Sequence, residues 1–425
     1  MIRRAAYLVH MLRNERAPAE RLRARQDAQL HRLVLRAAQD VPLYRDLYAG
    51  LDLPEFRGVA DLPRLPIIDK RQLRVAAGAH RAVDAVPPLV TISTSGSSGE
   101  PFRFEIDADY DQWRKAQCLR PYLSAGRRLR DCVLRLRPPS LGPARPPWFQ
   151  RLGLLAEHVI SAGSEPEEIC RRWTELHATV LQGYPSALRP LAQYIIEKRR
   201  HLSPPPRRVF TDSELLLPDT RQLLTEAFGA PVTDVFGTYE TDNIAYQCER
   251  GEGYHLAIDC VILELLRDGV PVAAGEPGEM VVTVLRNHTT PFIRYNLRDI
   301  ARFGSDPCRC GRSFPLLQVI SGRSDDSIVL GDGRRRTPMD LFPIFGGLPH
   351  LLRQYQLRQT AVDRFELWVV PMLPLEIEHR QLLLNSLLQS LGPVTLAIHV
   401  ADRLPTDPSG KFRTFVSCLA DGAHA

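Results

Sequence analysis

The stretch "RRVFTDSELLLPDTRQLLTEAFGAPVTDVFGTYE", Arg207 to Glu240, decides the fold. Residues 207–214 read as a short strand that ends in polar residues. Residues 217–229 carry helical spacing and stop at Gly229, a residue suited to a helix C-terminus. Residues 230–240 return as a second strand, again with a polar end. Strand, helix, strand with polar groups at the strand C-termini is the pattern of an open α/β sheet. Such sheets take ligands just outside the carboxyl ends of their strands.

The alternation extends upstream. "SEPEEICRRWTELH" reads as a helix with Ser164 as N-cap and Pro166 in its first turn, and Ile169, Trp173 and Leu176 share one face. "ATVLQGYP" is a buried strand, and "SALRPLAQYIIEKRR" a helix with basic residues in its last turn. After Gly253 the texture changes. "DCVILELL", "GEMVVTVLR" and "DIARFG" are strands separated by turn signals such as "RDGVPVAAGEPG", an antiparallel β subdomain. From about Ser324 a β-α-β unit follows: "DRFELWVVP", a helix through "LEIEHRQLLLNSLLQSLG", then "VTLAIHVA". The fold class is mixed α/β. A large N-terminal domain, residues 1–323, holds the α/β sheets and the β subdomain, and residues 324–425 form a small mobile α+β lid.

Composition narrows the function classes. The chain has 425 residues, 44% of them hydrophobic, enough for more than one core. Lys and Arg number 55 against 49 Asp and Glu, a net charge of +6, and the arginines are scattered. That fits a small anionic substrate better than a nucleic-acid face, which clusters its charge. No apolar run is long enough for stable membrane insertion, and the basic start "MIRRAAYLVHMLRNERA" reads as a surface helix rather than a secretion signal. Eight widely spread cysteines point to a reducing, cytoplasmic setting. "RPPSLGPARPP" reads as an exposed loop.

The loop "TISTSGSSGEPF", Thr91 to Phe102, follows an apolar "PPLV" strand. Successive Gly, Ser and Thr let backbone N–H groups converge on a phosphate, but a solvated linker has the same composition. A P-loop would end in Gly-Lys-Ser/Thr, whereas this loop ends Gly99-Glu100-Pro101. Locally the choice stays open.

Three more stretches, in order, bear on it: "VFGTYETDN" (235–243), "FIRYNLRDIARF" (292–303) and "LPTDPSGKFRT" (404–414). With the hydroxyl-rich loop they resemble the adenylate-forming superfamily of acyl-CoA synthetases. "VPLYRDLY", "DLPRLPIIDKRQLR", "LQGYPSALRPLA", "FTDSELLLP" and "CRCGRSFPLLQVISGRSDD" resemble its phenylacetate–CoA ligase and CapK-like branch. The resemblance covers nearly the whole chain. It implies that a carboxylate attacks the α-phosphate of ATP, giving an acyl-adenylate and pyrophosphate, and that a thiol, usually coenzyme A, then displaces AMP. The large domain would bind AMP.

Carried over residue by residue, the resemblance gives Thr94, Ser95, Gly96, Ser97, Ser98 and Gly99 to the phosphate loop. Glu240 matches the acid that holds Mg²⁺, a hard cation that prefers carboxylate oxygen; a surface acid at a strand end is the alternative. Phe236 and Gly237 match the aromatic-Gly pair beside adenine. Thr238 and Tyr239 complete that motif, and relatives usually have Thr or Ser where Tyr239 stands. Asp299 matches the acid on the ribose hydroxyls, with a salt bridge to Arg294 or Arg298 as its alternative. Arg323 matches an arginine near ribose and phosphate, and Asp325 the hinge of the small domain. Lys411 matches the lysine that bridges the carboxylate and the α-phosphate, so Lys411 and Glu240 are the catalytic candidates. Ser213 and Glu214 border the adenine and acyl pocket, and Tyr184 its wall. Branch relatives point to a homodimer.

A separate constellation joins Cys248 and His255 in "CERGEGYH" to Cys308 and Cys310 in "CRCGR". Three thiolates and an imidazole suit a tetrahedral structural Zn²⁺, with free, partly buried cysteines as the alternative. Cys118, Cys132, Cys170, Cys260 and Cys418 read as small apolar fillers. Two further functions remain open at this stage. One is adenylation with transfer to an amine, hydroxyl or carrier protein; the other is a degenerate nucleotide-binding chain. The acid itself is not legible.

Overall fold

The computed structural model describes residues 2–76, 78–94, 102–137, 147–346, 351–405 and 412–419, apart from the side chains of Val319, Ser321, Arg323, Asp325 and Gly346. Packing divides the chain into two compact units: residues 1–128 with 233–320, and residues 129–232 with 321–425. These packing units follow a different division from the domains 1–323 and 324–425 expected from the sequence.

The first unit begins with helices Ile2–Asn14 and Ala19–Asp40. In the second of these Leu22, Gln26, Leu30, Leu33, Val34 and Ala37 are buried. Their spacing of three and four makes one helical face apolar, and that face joins the core formed with Ile244, Val282 and Phe292. A hairpin, Leu89–Ser93 against Arg103–Asp107, leads into helix Ala108–Ser124. Asp107 caps that helix by accepting from the Asp109 and Tyr110 amides. The expected β subdomain is present as strands Val261–Arg267, Pro277–Val284 and Tyr295–Phe303, hydrogen-bonded in that order. Strands Val232–Thr238, Asp242–Gln247 and Tyr254–Leu256 pair antiparallel in sequence.

The second unit holds the α/β sheet that Arg207 to Glu240 implied. Strands Arg208–Asp212, Val180–Gly183, Val133–Arg137 and Glu157–Ser161 lie side by side, all parallel. Helices Pro166–Glu175, Pro185–Glu197 and Pro218–Phe228 each start on a proline, whose fixed φ suits the first helical position. Gly229 closes the last of them in the left-handed conformation at φ 59°. One detail differs from expectation: Glu165, not Ser164, is the residue before the helix, because Pro166 takes its first position. Ile169 and Trp173 are buried beneath Leu134, Leu181 and Val209, as their spacing requires.

The C-terminal β-α-β unit is also present. Strand Arg364–Pro371, helix Ile377–Leu391 and strand Thr395–Val400 make a parallel crossover. Two strands of this sheet were not foreseen: Leu352–Ala361, antiparallel to Arg364–Pro371, and Phe415–Ser417, parallel to Leu352–Ala361. Their core includes Leu357, Leu367, Leu383 and Phe415, and also Leu217, with Leu215 packed against it. Both leucines belong to the "FTDSELLLP" motif. Among the described residues, no helix is long and apolar enough to cross a membrane. Cys418, expected as an apolar filler, is exposed, directly after strand Phe415–Ser417.

Candidate active site and metal centre

Glu240 sits in the turn between strands Val232–Thr238 and Asp242–Gln247. Several devices hold this turn. The Thr238 and Thr241 hydroxyls are 3.1 Å apart, and the Thr241 amide donates to Thr238 Oγ1 at 3.3 Å. Asp242, at φ 57°, is fixed by Arg114 with Nη2–Oδ1 at 2.9 Å, and Gln117 donates to the Thr241 carbonyl at 2.9 Å. Both partners lie on helix Ala108–Ser124. Gly237 is required here, since a Cβ would stand 2.2 Å from the Asp242 carbonyl oxygen. The result is a carboxylate only 7% exposed at a turn tip. Glu240 is therefore not a surface strand-end acid.

Two side chains face it within the same unit. Tyr295 Oη donates to Glu240 Oε1 at 3.2 Å, and Lys70 Nζ lies 3.4 Å from that oxygen. Lys70 opens the short helix Lys70–Val75, and Asp69 and Gln72 form a reciprocal capping box at its start. Tyr295 belongs to "RYNLRD", and Asp299 lies further along its strand, half-buried. Arg294 is committed to Glu264 at 2.9 Å and to the Leu65 carbonyl, and Arg298 pairs with Asp69 at 3.6 Å. Phe236, Thr238 and Tyr239 are half-buried around the turn.

The hydroxyl-rich loop connects the two strands of the Leu89–Asp107 hairpin. Its base is pinned, because the Thr94 amide donates to the Phe102 carbonyl and the Phe102 amide donates to Thr94 Oγ1 at 3.0 Å. Ser95, Gly96, Ser97, Ser98 and Gly99 lie outside the described residues, as does Lys411. The side chains of Arg323 and Asp325 lie outside them too.

In the second unit, strand Arg208–Asp212 delivers the polar end seen in the sequence. Burial alone would raise the Asp212 carboxyl. The Arg137 and Arg135 guanidiniums outweigh it and, with hydrogen bonds from Gln182 at 2.6 Å and Ser213 at 2.9 Å, lower the carboxyl to about 2. Ser213 then takes φ 70°, a left-handed conformation uncommon for a residue with a Cβ, and turns the chain sharply. Glu214 accepts from the Ser186 amide at 3.0 Å, at the start of helix Pro185–Glu197, and from the Ser186 hydroxyl at 2.8 Å. Tyr184, just before that helix, is buried in the core of the parallel sheet.

The four expected metal ligands converge. One ligand atom from each of Cys248, His255, Cys308 and Cys310 lies within 4.8 Å of every other. The register of the strands explains this: His255 pairs with Leu316, so the turn containing Cys308 and Cys310 folds back over Cys248. Cys248 and Cys308 sulfurs are 3.6 Å apart, and Cys310 Sγ is 3.3 Å from His255 Nε2. A tetrahedron with metal–sulfur bonds of about 2.3 Å has edges of about 3.8 Å, close to these two separations, and pairs out to 4.8 Å would have to draw in to hold an ion. Burial, then the Arg312 cation, pushes His255 down to about 4, which keeps the imidazole neutral and able to ligate.

No family model matches the chain. It is 26% identical over 373 residues to a phenylacetate-coenzyme A ligase of Thermus thermophilus, spanning 84% of this chain and 82% of that protein. It is 23% identical over 330 residues to protein CapK of Staphylococcus aureus, spanning 73% and 70% of the two. A crystal structure of 2-hydroxyisobutyryl-CoA ligase, in the postadenylation state with 2-HIB-AMP, has the same fold. Its TM-score is 0.79 at 21% identity, over 95% of this chain and 91% of that one. The chain is similar in sequence to phenylacetate-coenzyme A ligases and to CapK, and in fold to 2-hydroxyisobutyryl-CoA ligase.

The structure gathers Lys70 and Tyr295 around Glu240 and brings the Cys/His quartet together, and the motif reading had not named Lys70 or Tyr295. Both stand in stretches that carried the resemblance. The Asp69–Gln72 capping box was a local signal for a helix starting at Lys70. Nothing local indicates that Lys70 faces an acid so far along the chain.

Proposed function

We propose that this chain activates a small carboxylic acid with ATP and passes the acyl group to coenzyme A. The substrate carboxylate would form a bond to the α-phosphorus as the bond to pyrophosphate breaks. The thiol sulfur would then bond the acyl carbon, losing its proton, as AMP leaves. The observation that carries this reading is the buried Glu240 carboxylate, built into a braced turn beside Tyr295 and Lys70.

The remaining roles belong to the same proposal. Glu240 fits a magnesium ion, which takes one or two carboxylates together with nucleotide phosphates and water. When bound, the ion would neutralise phosphate charge. Lys70 would supply a cation that the loop ending Gly99-Glu100-Pro101 lacks. Asp299 would accept from the ribose hydroxyls, and Phe236 and Gly237 would border adenine. Arg323 would sit near ribose and phosphate, and Lys411 would bridge carboxylate and α-phosphate. Residues 324–425 would act as a lid hinged at Asp325, and the chain would work as a cytoplasmic homodimer. The CapK likeness supports a second reading, with an amine, hydroxyl or carrier protein as acceptor.

An acid panel headed by phenylacetate, with ATP, Mg²⁺ and hydroxylamine, tests the activation step. Acyl hydroxamate and pyrophosphate are expected together for at least one acid, and ATP consumption with none of them would sink the reading. Lys70→Ala is expected to slow pyrophosphate formation about 100-fold, as loss of a positioned charge does. Unchanged rates would remove Lys70 from the site.

The Cys/His quartet would hold one structural zinc. Protein purified without chelator is expected to contain about one zinc per chain. Cys308→Ser with Cys310→Ser should abolish it and lower the melting temperature. A folded, metal-free wild type would end this proposal.

A further inference from the structure

Phe412 directly follows Lys411, and its amide donates to Glu214 Oε1 at 2.9 Å. The same oxygen accepts from the Ser186 hydroxyl. Glu214 is thus fixed in advance at the start of helix Pro185–Glu197, where the helix dipole also favours its charge. It is aimed there by the left-handed Ser213. The next residue of the Lys411 segment is gripped as well. The Arg413 guanidinium pairs with Asp326, and its carbonyl accepts from Gln356 at 2.6 Å. Gln356 and Asp326 belong to residues 321–425 themselves, whereas Glu214 reaches the segment from residues 129–232.

We propose that Glu214 is a positioning residue for adenylation, whose carboxylate docks the backbone just past Lys411. The inference rests on the ligase reading and assigns Glu214 a task beyond bordering a pocket. A lysine on a long flexible side chain bridges two reacting groups only if its backbone is fixed, and a misplacement of about 1 Å can cost about 100-fold in rate. One oxygen accepting from both Ser186 and Phe412 converts a rigid helix start into such a fixture.

The test compares Glu214→Ala, Glu214→Gln and Ser186→Ala in the full-length protein. In Glu214→Ala the Phe412 amide should exchange with deuterium at least about tenfold faster than in wild type. Phenylacetate-dependent pyrophosphate exchange should fall about 100-fold. Thioester formation from synthetic phenylacetyl-adenylate and coenzyme A should stay within about threefold of wild type. Glu214→Gln keeps an acceptor oxygen and should restore most of the exchange. Ser186→Ala removes one of the hydrogen bonds that hold Glu214 and should lower pyrophosphate exchange in the same direction but less than Glu214→Ala does. Unchanged protection of the Phe412 amide in Glu214→Ala overturns the tether. Equal loss in both half-reactions overturns the positioning role. Wild-type protein inactive with every acid would overturn the ligase reading instead, and the amide measurement would still decide the tether.

Discussion

Lys411→Ala is expected to lower carboxylate-dependent pyrophosphate exchange by about 100- to 1000-fold, the usual effect of deleting a charge that stabilises a transition state. Negative charge builds between the attacking carboxylate oxygen and the α-phosphate, and a lysine ammonium is a compact charge able to follow it. Phe412, which follows it, is held by Glu214. The second half-reaction does not need this bridge. Thioester formation from preformed phenylacetyl-adenylate should therefore survive within about threefold. Lys411→Arg should rescue poorly, because a planar guanidinium presents its charge differently. Isotope exchange and single-turnover assays measure the two steps separately, and equal damage to both would strip Lys411 of its assigned task.

Arg120→Leu is expected to have the largest effect on stability, a loss of about 3–5 kcal/mol, because it strands a buried carboxylate. Arg120 is fully buried, and its Nη1 lies 2.8 and 2.9 Å from the two oxygens of Asp259. Its guanidinium also lies over the rings of Tyr246 and Phe314. Removing it leaves Asp259 with the Asn14 amide at 3.0 Å and, among the described residues, no other ion pair. Arg120→Leu combined with Asp259→Leu should recover much of the loss, since the buried charge is then gone. Denaturant midpoints for the single and double variants are the measurement. A single-variant loss below about 1 kcal/mol would show that water or rearrangement satisfies Asp259.

The parts of the fold that were legible had strong periodicity and clear punctuation. Helix Pro218–Phe228 with Gly229 is the best case, and the three strands of the β subdomain follow. Strand Leu352–Ala361 was illegible because Gln356 and Gln359 are buried within it. Gln359 uses its amide to bond the Val329 backbone on both sides, so polar residues occupy positions where a pattern search expects apolar ones. Strand Arg103–Asp107 was hidden by the loop before it, which drew attention as a phosphate candidate. At the site, Glu240 was legible from its motif. Its depth was not, since burial there depends on Arg114 and Gln117 from a distant helix. The metal ligands were legible by chemical type, and their convergence depends on the His255–Leu316 register.

The two packing units are interleaved along the chain, and this bears on how the protein is made. A ribosome that has released residues 1–232 has supplied the opening segment of both units and the closing segment of neither. The first unit becomes complete only near residue 320, and the second only when translation reaches the C-terminal strands. Until then Leu215 and Leu217 have been synthesised, but the Leu357, Leu383 and Phe415 surface that covers them has not. Domains that are contiguous in sequence can fold one after the other as they emerge. Here Leu215 and Leu217 wait until the C-terminal strands emerge, so the second unit cannot complete this core until synthesis is nearly finished.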